Sequence, residues 1–183
     1  MTRFVRLLLA FGALPLVLPA STVFWTLQSV SFSDGGTASG TFNYDADTNT
    51  FSAINITTAG GSVLPGDTYT FLCGGDINCS GVAPNSGQAL FLDSDPASTN
   101  LNGLTGLFLQ FTPSALTDAG GVNSISGSEI TCSGSDCNTP TTPSRDIVSG
   151  AVSGQAPAPE PSSLLLLGTG AVLFGFRRLR KQV

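Results

Sequence analysis

The sequence predicts a single all-β domain of antiparallel strands, arranged as a sandwich or jelly roll, between two terminal apolar segments that form helices. In the middle of the chain, short apolar runs alternate with clusters of Gly, Ser, Asn and Asp. This pattern is typical of strands joined by tight turns. No part of it repeats apolar residues with the helical period of about 3.6. About 140 residues remain between the two ends, which is the size of one domain.

Three strands are predicted at the start of the domain, and they form a meander. In the first, apolar residues alternate from Val23 to Phe32 with one change of phase, and Asp34-Gly35-Gly36 supplies the turn. The second runs from Thr37 to Tyr44. After a turn at residues 45–50, the third runs from Phe51 to Thr58 and is rich in β-branched residues, which favour a pleated surface.

Later apolar runs predict four more strands. They are Thr68 to Leu72, Ala89 to Asp93, Leu104 to Thr112 and Ser126 to Cys132. About seven short strands favour a sandwich or jelly roll. Ile147 and Val148 suit one last short strand, which ends the domain at residue 149. The Gly-, Ser-, Ala- and Pro-rich residues 150–158 then predict a flexible linker.

The N-terminal segment has the pattern of a secretory signal peptide. Arg3 and Arg6 form a basic start, and a 12-residue apolar stretch runs from Leu7 to Leu18. Ala20 is the small residue expected before a cleavage site. We therefore assign residues 1–20 to a signal peptide and exclude them from the fold.

The C-terminal segment, residues 159–183, has three parts in a fixed order. A short motif of Pro159, Glu160 and Pro161 precedes an uncharged apolar helix over residues 162–176. The helix is marginal as a membrane span, because a bilayer core needs about 20 apolar residues. A basic end follows, and positive charge favours the cytoplasmic side. Its cations are Arg177, Arg178, Arg180 and Lys181.

This tail resembles a PEP-CTERM sorting signal, the bacterial element that exosortases process. The same region is also catalogued as the C-terminal domain of ice-binding proteins, a label that describes the tail and does not imply ice binding. The resemblance covers about 25 of 183 residues. It implies a chain exported by the secretion machinery, held in the membrane by its C-terminal helix, and then cleaved and released to the cell surface. Exopolysaccharide is an implied partner.

The predicted meander carries a second resemblance, to uncharacterised bacterial PEP-CTERM proteins. It covers about 40 residues and brings no known activity with it. The matching positions are Trp25-Thr26-Leu27, Phe32, Asp34-Gly35-Gly36-Thr37, Gly40, Phe42 and Tyr44-Asp45.

The charge of the domain differs from that of the whole chain. The chain has a net charge of −5, but residues 21–159 hold 11 acidic residues and one basic residue, Arg145, which gives −10. Such a domain repels nucleic acid and anionic membranes. Nucleic acid is therefore excluded as a partner, and acidic charge also keeps an exported protein soluble.

Residue content argues against catalysis and against a dedicated metal site. The chain contains no His, so a Ser-His-Asp triad cannot form. Asp45, Asp47 and Asn49 place oxygen ligands at alternate positions, as a calcium loop does. The loop nevertheless has Thr50 in place of the expected Gly and Ile56 in place of the expected Glu. These residues are better read as turn formers, and we expect neither an enzyme nor a cofactor.

The four cysteines are Cys73, Cys79, Cys132 and Cys137. Their spacing suits a zinc site, but export to an oxidising compartment favours disulfides. Four cysteines allow three connectivities. We favour the local pairs Cys73–Cys79 and Cys132–Cys137, and crossed pairing stays open.

Together with the setting that the PEP-CTERM resemblance implies, the sequence predicts an exported surface or matrix protein with a structural or adhesive role. The alternative is a secreted module that binds carbohydrate or calcium. The first prediction needs no ligand, whereas the second requires a glycan signal or stabilisation by calcium.

Overall fold

The computed structural model describes residues 22–74, 83–94, 101–112, 115–133, 137 and 143–156. Within them the chain forms nine strands and no helix of membrane-spanning length and hydropathy. Both predicted terminal helices lie outside the described residues. The strands are β1 (Val23–Phe32), β2 (Thr37–Asp45), β3 (Thr50–Ala59), β4 (Thr68–Tyr69), β5 (Phe71–Leu72), β6 (Gln88–Leu92), β7 (Thr105–Thr112), β8 (Gly120–Thr131) and β9 (Ser144–Gln155).

All strand pairs are antiparallel and belong to one sheet in the order β4-β3-β2-β1-β9-β8-β7-β6-β5. The two edge strands β4 and β5 are consecutive in the chain and are separated only by Thr70. Tyr69 pairs with Ile56 of β3, while Phe71 pairs with Leu92 of β6. The amide of Thr70 also donates a hydrogen bond to the Leu92 carbonyl, at 3.2 Å. One short segment therefore bridges both edges, and the sheet nearly closes.

The predicted all-β antiparallel class is confirmed, with one refinement. A single sheet curls over until its two halves face each other, as the two sheets of a sandwich do. Phe42 of β2 packs against Phe91 of β6 and Phe111 of β7, with ring centroids 5.6 and 6.0 Å apart. Three or four strands separate these partners along the sheet order. Such contacts require the sheet to fold back on itself.

The predicted flexible linker over residues 150–158 is wrong in its first part. Residues 150–155 are the second half of β9, which is 12 residues long and lies in the middle of the sheet. It pairs with β1 on one side and β8 on the other. The domain thus extends beyond the predicted boundary at residue 149, at least to Gln155.

Bulges bend the long strands and allow the sheet to curl. β1 changes register against β2 between Thr26 and Val30, and Ser29 there adopts a φ of 51°. This bulge is the change of phase that the sequence predicts in the first strand. β8 changes register against β9 between Ser124 and Ser128.

The apolar residues form two clusters, one on each face of β6. Ala89 and Phe91 belong to the main core inside the curled sheet. Leu90 and Leu92 point to the outer face and join a smaller cluster. The other buried members of the smaller cluster are Cys73, Leu101, Ile130, Cys132 and Cys137.

A disulfide links Cys132 to Cys137 in the smaller cluster, as predicted for this local pair. Cys73 is also disulfide-bonded. Cys79, its predicted partner, lies outside the described residues. Both Cys132 and Cys137 are buried, so this disulfide covers part of the outer face of the sheet.

We expect Cys132→Ala/Cys137→Ala to lower the free energy of unfolding by about 2 kcal/mol, because the disulfide closes only a short loop. Urea unfolding monitored by circular dichroism measures this change. Ser126→Ala, at an exposed position of β8, serves as the control and should match the wild type. A double variant as stable as this control would contradict the prediction.

Candidate functional site

The most distinctive cluster of polar side chains lies inside one end of the curled sheet. Arg145 of β9 stands directly opposite Glu129 of β8 in the strand ladder. Its Nε and Nη2 atoms donate hydrogen bonds to Glu129 Oε2 at 2.9 and 2.7 Å. Both side chains are fully buried. The arrangement is an ion pair held by two hydrogen bonds.

The third guanidinium nitrogen, Nη1, and the planar face of the group contact three other parts of the chain. Nη1 lies 3.2 Å from Asp34 Oδ2, in the turn between β1 and β2. It also donates to the carbonyls of Ala59, at 3.1 Å, and Leu64, at 3.4 Å. The carbon at the centre of the group lies 4.3 Å from the centroid of the Phe32 ring, a cation–π contact. Arg145 therefore links β8, the turn between β1 and β2, the end of β3 and the loop that follows β3.

Asp34 fixes the loop that covers this end. Its carboxylate accepts hydrogen bonds from the amides of Gly36, Val63 and Leu64, at 3.0, 3.2 and 3.3 Å. The side chain has almost no accessible surface, although it lies at shallow depth beneath the loop. Desolvation pushes the Asp34 pKa up, but the three amides and the charge of Arg145 outweigh it and hold the pKa at about 2.

Glu129 lies deeper than Asp34. Its Oε1 atom accepts a hydrogen bond from the Thr58 hydroxyl at 3.2 Å. Burial raises the Glu129 pKa above its ordinary value, against the opposing effect of the hydrogen bonds and the charge of Arg145. The pKa of Tyr69 is raised as well, first by burial and then by the negative charge of Glu129. The Tyr69 hydroxyl is buried nearby without a hydrogen bond of acceptable geometry.

These contacts indicate that the cluster stabilises the fold by holding several chain segments together, and we call this role a brace. A general acid or base must come within hydrogen-bond reach of a substrate, whereas Glu129 and Arg145 have no accessible surface. The sequence marks Arg145 as the one basic residue of the domain, but it does not pair that residue with Glu129. The available signal was a lone cation among 11 acidic residues, since a buried cation needs partners.

We expect Asp34→Asn to make the free energy of unfolding depend less on pH under acidic conditions. The Asp34 pKa is lowered from the ordinary 3.8 to about 2, so the folded state favours the ionised carboxylate. Its contribution is fully present above about pH 4 and is lost as the pH falls through about 2. Urea midpoints measured across this range should show the difference between wild type and variant shrinking towards low pH. Asp146→Asn, at an exposed neighbour of Arg145, is the control, and a constant difference for Asp34→Asn would refute this assignment.

Of the weak metal candidates, Asp45 is the last residue of β2, and Asp47 and Asn49 lie in the turn between β2 and β3. Asp45 Oδ1 accepts a hydrogen bond from the Thr48 amide at 3.0 Å. Asn49 accepts one from the Tyr44 hydroxyl at 2.8 Å and donates one to the Pro84 carbonyl at 3.1 Å. Asp45 and Asn49 thus build the turn. Among the described residues, no group of three or more Asp, Glu, Cys or His side chains is placed to hold a metal ion.

Burial of Arg145 removes from the surface the one basic side chain that the described residues contain. Among the described residues, every charged side chain with appreciable exposure is acidic. These are Asp45, Asp47, Asp67, Asp93, Asp118 and Asp146. Contact with anionic polymers therefore has to rely on hydrogen bonds or on cations from solution.

The described chain and its C-terminal sequence together define an exported all-β domain with a sorting tail. A family model for the PEP-CTERM protein-sorting motif matches residues 157–181, two residues beyond the end of β9. This match supports the exosortase-sorting signal and indicates an exported protein. The predicted motif and basic residues all fall within it, and their structure lies outside the described residues. Neither a curated protein nor a solved structure matches the chain significantly.

Proposed function

We propose that the protein is a non-enzymatic structural or adhesive component of the cell surface or the extracellular polymer matrix. The observation that carries this proposal is a braced, nearly closed β domain that runs directly into a sorting motif. The motif directs the chain outwards, and the domain is the cargo that remains there.

The architecture is suited to a protein that must stay folded and unassociated outside the cell. Unpaired strand edges invite association with other chains, and here β4 and β5 each pair with two residues of the outer strands β3 and β6, which covers part of both edges. The disulfide Cys132–Cys137 fits an oxidising compartment. A domain that resists unfolding and edge association is well suited to a structural role.

The outer face of β1 and β9 supplies the chemistry for contact with a hydrated polymer. It presents hydroxyl and amide side chains in neighbouring positions. Gln28 donates a hydrogen bond to Ser153 at 3.2 Å, and the hydroxyls of Ser31 and Ser149 lie 2.7 Å apart. Such groups exchange hydrogen bonds with sugar hydroxyls, which makes exopolysaccharide the proposed partner. They also favour the second candidate function, a carbohydrate-binding module.

We propose that the membrane first holds the precursor and that an exosortase then cleaves it. The secretion machinery exports the chain, the apolar segment 162–176 holds the precursor in the membrane, and an exosortase cleaves near Pro159 to release the domain. C-terminal sequencing of the released form, in cells with and without the exosortase, tests this step. A released chain that always retains residues 177–183 would contradict it.

The matrix role is tested in three strains: wild type, a deletion of the gene, and a strain whose chain stops after residue 156. We expect both altered strains to lose protein from the extracellular matrix and to form a weaker matrix. A glycan array with the purified domain separates the two candidate functions, because a specific sugar signal favours the binding module. A matrix unchanged in mass and cohesion on gene deletion would overturn the structural role.

A further inference from the structure

The chain enters and leaves the sheet at the same end. β1 begins at Val23 and β9 ends at Gln155, and the ladder pairs Phe24 with Gln155. Gln155 also pairs with Gly120, the first residue of β8. Paired residues in neighbouring strands lie about 5 Å apart. We call this region, formed by Val23, Phe24, Gly120–Val122 and Gln155, the exit end.

The length of chain beyond Gln155 limits how far the exit end can lie from the sorting tail. Leu164, the first apolar residue of the segment 162–176, lies nine positions after Gln155, so eight residues separate the two. Fully extended, they span about 30 Å at most. While the apolar run lies in a bilayer, the exit end is therefore kept near the membrane. The Arg145 end of the sheet is farther away by most of the length of β9, roughly 30 Å.

Two exposed apolar side chains lie at this end. Phe24 is 53% exposed and stands beside Gln155, and Val122 is 72% exposed and follows Gly120 by two residues. Both point away from the core, because their neighbours Val23, Trp25 and Asn123 are buried. Transfer of a large apolar side chain out of water lowers the free energy of the system, so these positions are suited to contact with an apolar phase.

We propose that the exit end faces the membrane in the precursor, and that Phe24 and Val122 contact the lipid interface while the sorting tail is inserted. The proposal rests on the membrane-held precursor described above. Two acidic side chains, Asp45 and Asp118, lie near the exit end. Asp45 follows Tyr44, which pairs with Val23. The Asp118 carboxylate accepts a hydrogen bond from the Ala46 amide at 2.9 Å. Their charge disfavours anionic lipids, so the matching surface is a zwitterionic one.

The test uses the full chain in phosphatidylcholine vesicles made with and without brominated acyl chains, which quench nearby tryptophan fluorescence. Three variants carry the reporter: Phe24→Trp, Val122→Trp and, as the matched control, Val148→Trp. Val148 is 63% exposed, but it precedes Gln155 by seven residues in β9 and therefore lies away from the exit end. The native Trp25 is fully buried and gives the same background in every protein. We expect the tryptophans at 24 and 122 to lose emission in brominated vesicles and the one at 148 to keep it.

Each other result overturns the proposal. Equal emission at all three positions, in chains that resist alkaline extraction, would show that the exit end stays away from lipid. Quenching at 148 alone would reverse the orientation. A blue shift at position 24 that depends on protein concentration without vesicles would identify a second copy as the occupant. Release of the chains from the vesicles on alkaline extraction would contradict the membrane-held precursor on which the proposal rests. The matrix role is tested in cells, so its failure can be told apart from this one.

Discussion

Replacing Arg145 with methionine should lower the free energy of unfolding by about 3–5 kcal/mol, the usual effect of breaking one side of a buried ion pair. The variant leaves the Glu129 carboxylate buried without its cation, and the carbonyls of Ala59 and Leu64 lose a donor. Domains of this size are stable by only about 5–15 kcal/mol. We therefore expect a large drop in the urea midpoint, and a fraction of unfolded protein even without denaturant.

Two further variants separate the ion pair from a general loss of packing. Arg145→Met/Glu129→Leu removes both charges and should recover a substantial part of the loss, because an apolar pair of similar volume is often tolerated. Arg145→Lys keeps the charge but cannot form the two-pronged contact, and should fall between wild type and Arg145→Met. An Arg145→Met protein within about 0.5 kcal/mol of wild type, as expected for a surface substitution, would show that the cluster is not a brace.

The regular strands at the start of the domain could be predicted because their signals are local. Apolar residues alternate in β1 and β2, and turn residues stand between the strands. The sorting tail is local in the same sense, since its three parts follow one another in sequence. The predicted limits of β1, β2 and β3 all lie within one residue of the observed ones.

Most of β9 was missed, because the sequence predicts only a short strand at Ile147 and Val148. The physical reason involves the neighbouring strand β1. Two of its positions facing β1 are Gly, so the apolar alternation that marks a strand is absent. A Cβ atom at Gly154 would lie 2.6 Å from the Trp25 indole, and one at Gly150 would lie 2.9 Å from the Cα of Val30. Trp25 and Val30 of β1 fill this space. The strand signal of β9 therefore resides partly in the sequence of another strand.

The ion cluster could not be predicted because its contacts are distant in sequence. Asp34 and Arg145 are 111 residues apart, and Glu129 and Arg145 are 16 apart. Their meeting depends on β9 lying between β1 and β8, and on the register of each pair. Composition revealed a lone base among acids, but only the topology reveals which acids it contacts.

Truncation of Phe42 to alanine tests the curled sheet itself. Its ring packs against Phe51, Phe91 and Phe111, with centroids 5.6, 5.6 and 6.0 Å apart. Removal of a buried aromatic ring lowers stability by about 3–5 kcal/mol. We expect this loss for Phe42→Ala in urea unfolding, whereas Phe24→Ala, the same change at a 53% exposed position, should have a much smaller effect.

A double-mutant cycle then asks whether β2 and β6 touch across the interior. Four strands lie between the positions of Phe42→Ala and Phe91→Ala in the sheet order, so in an open sheet their effects would add. In the curled sheet the two rings are in contact, and the coupling should reach about 0.5–1.5 kcal/mol, as measured for aromatic pairs. Strict additivity, with each single variant still cooperatively folded, would rule out the facing halves on which the closed architecture depends.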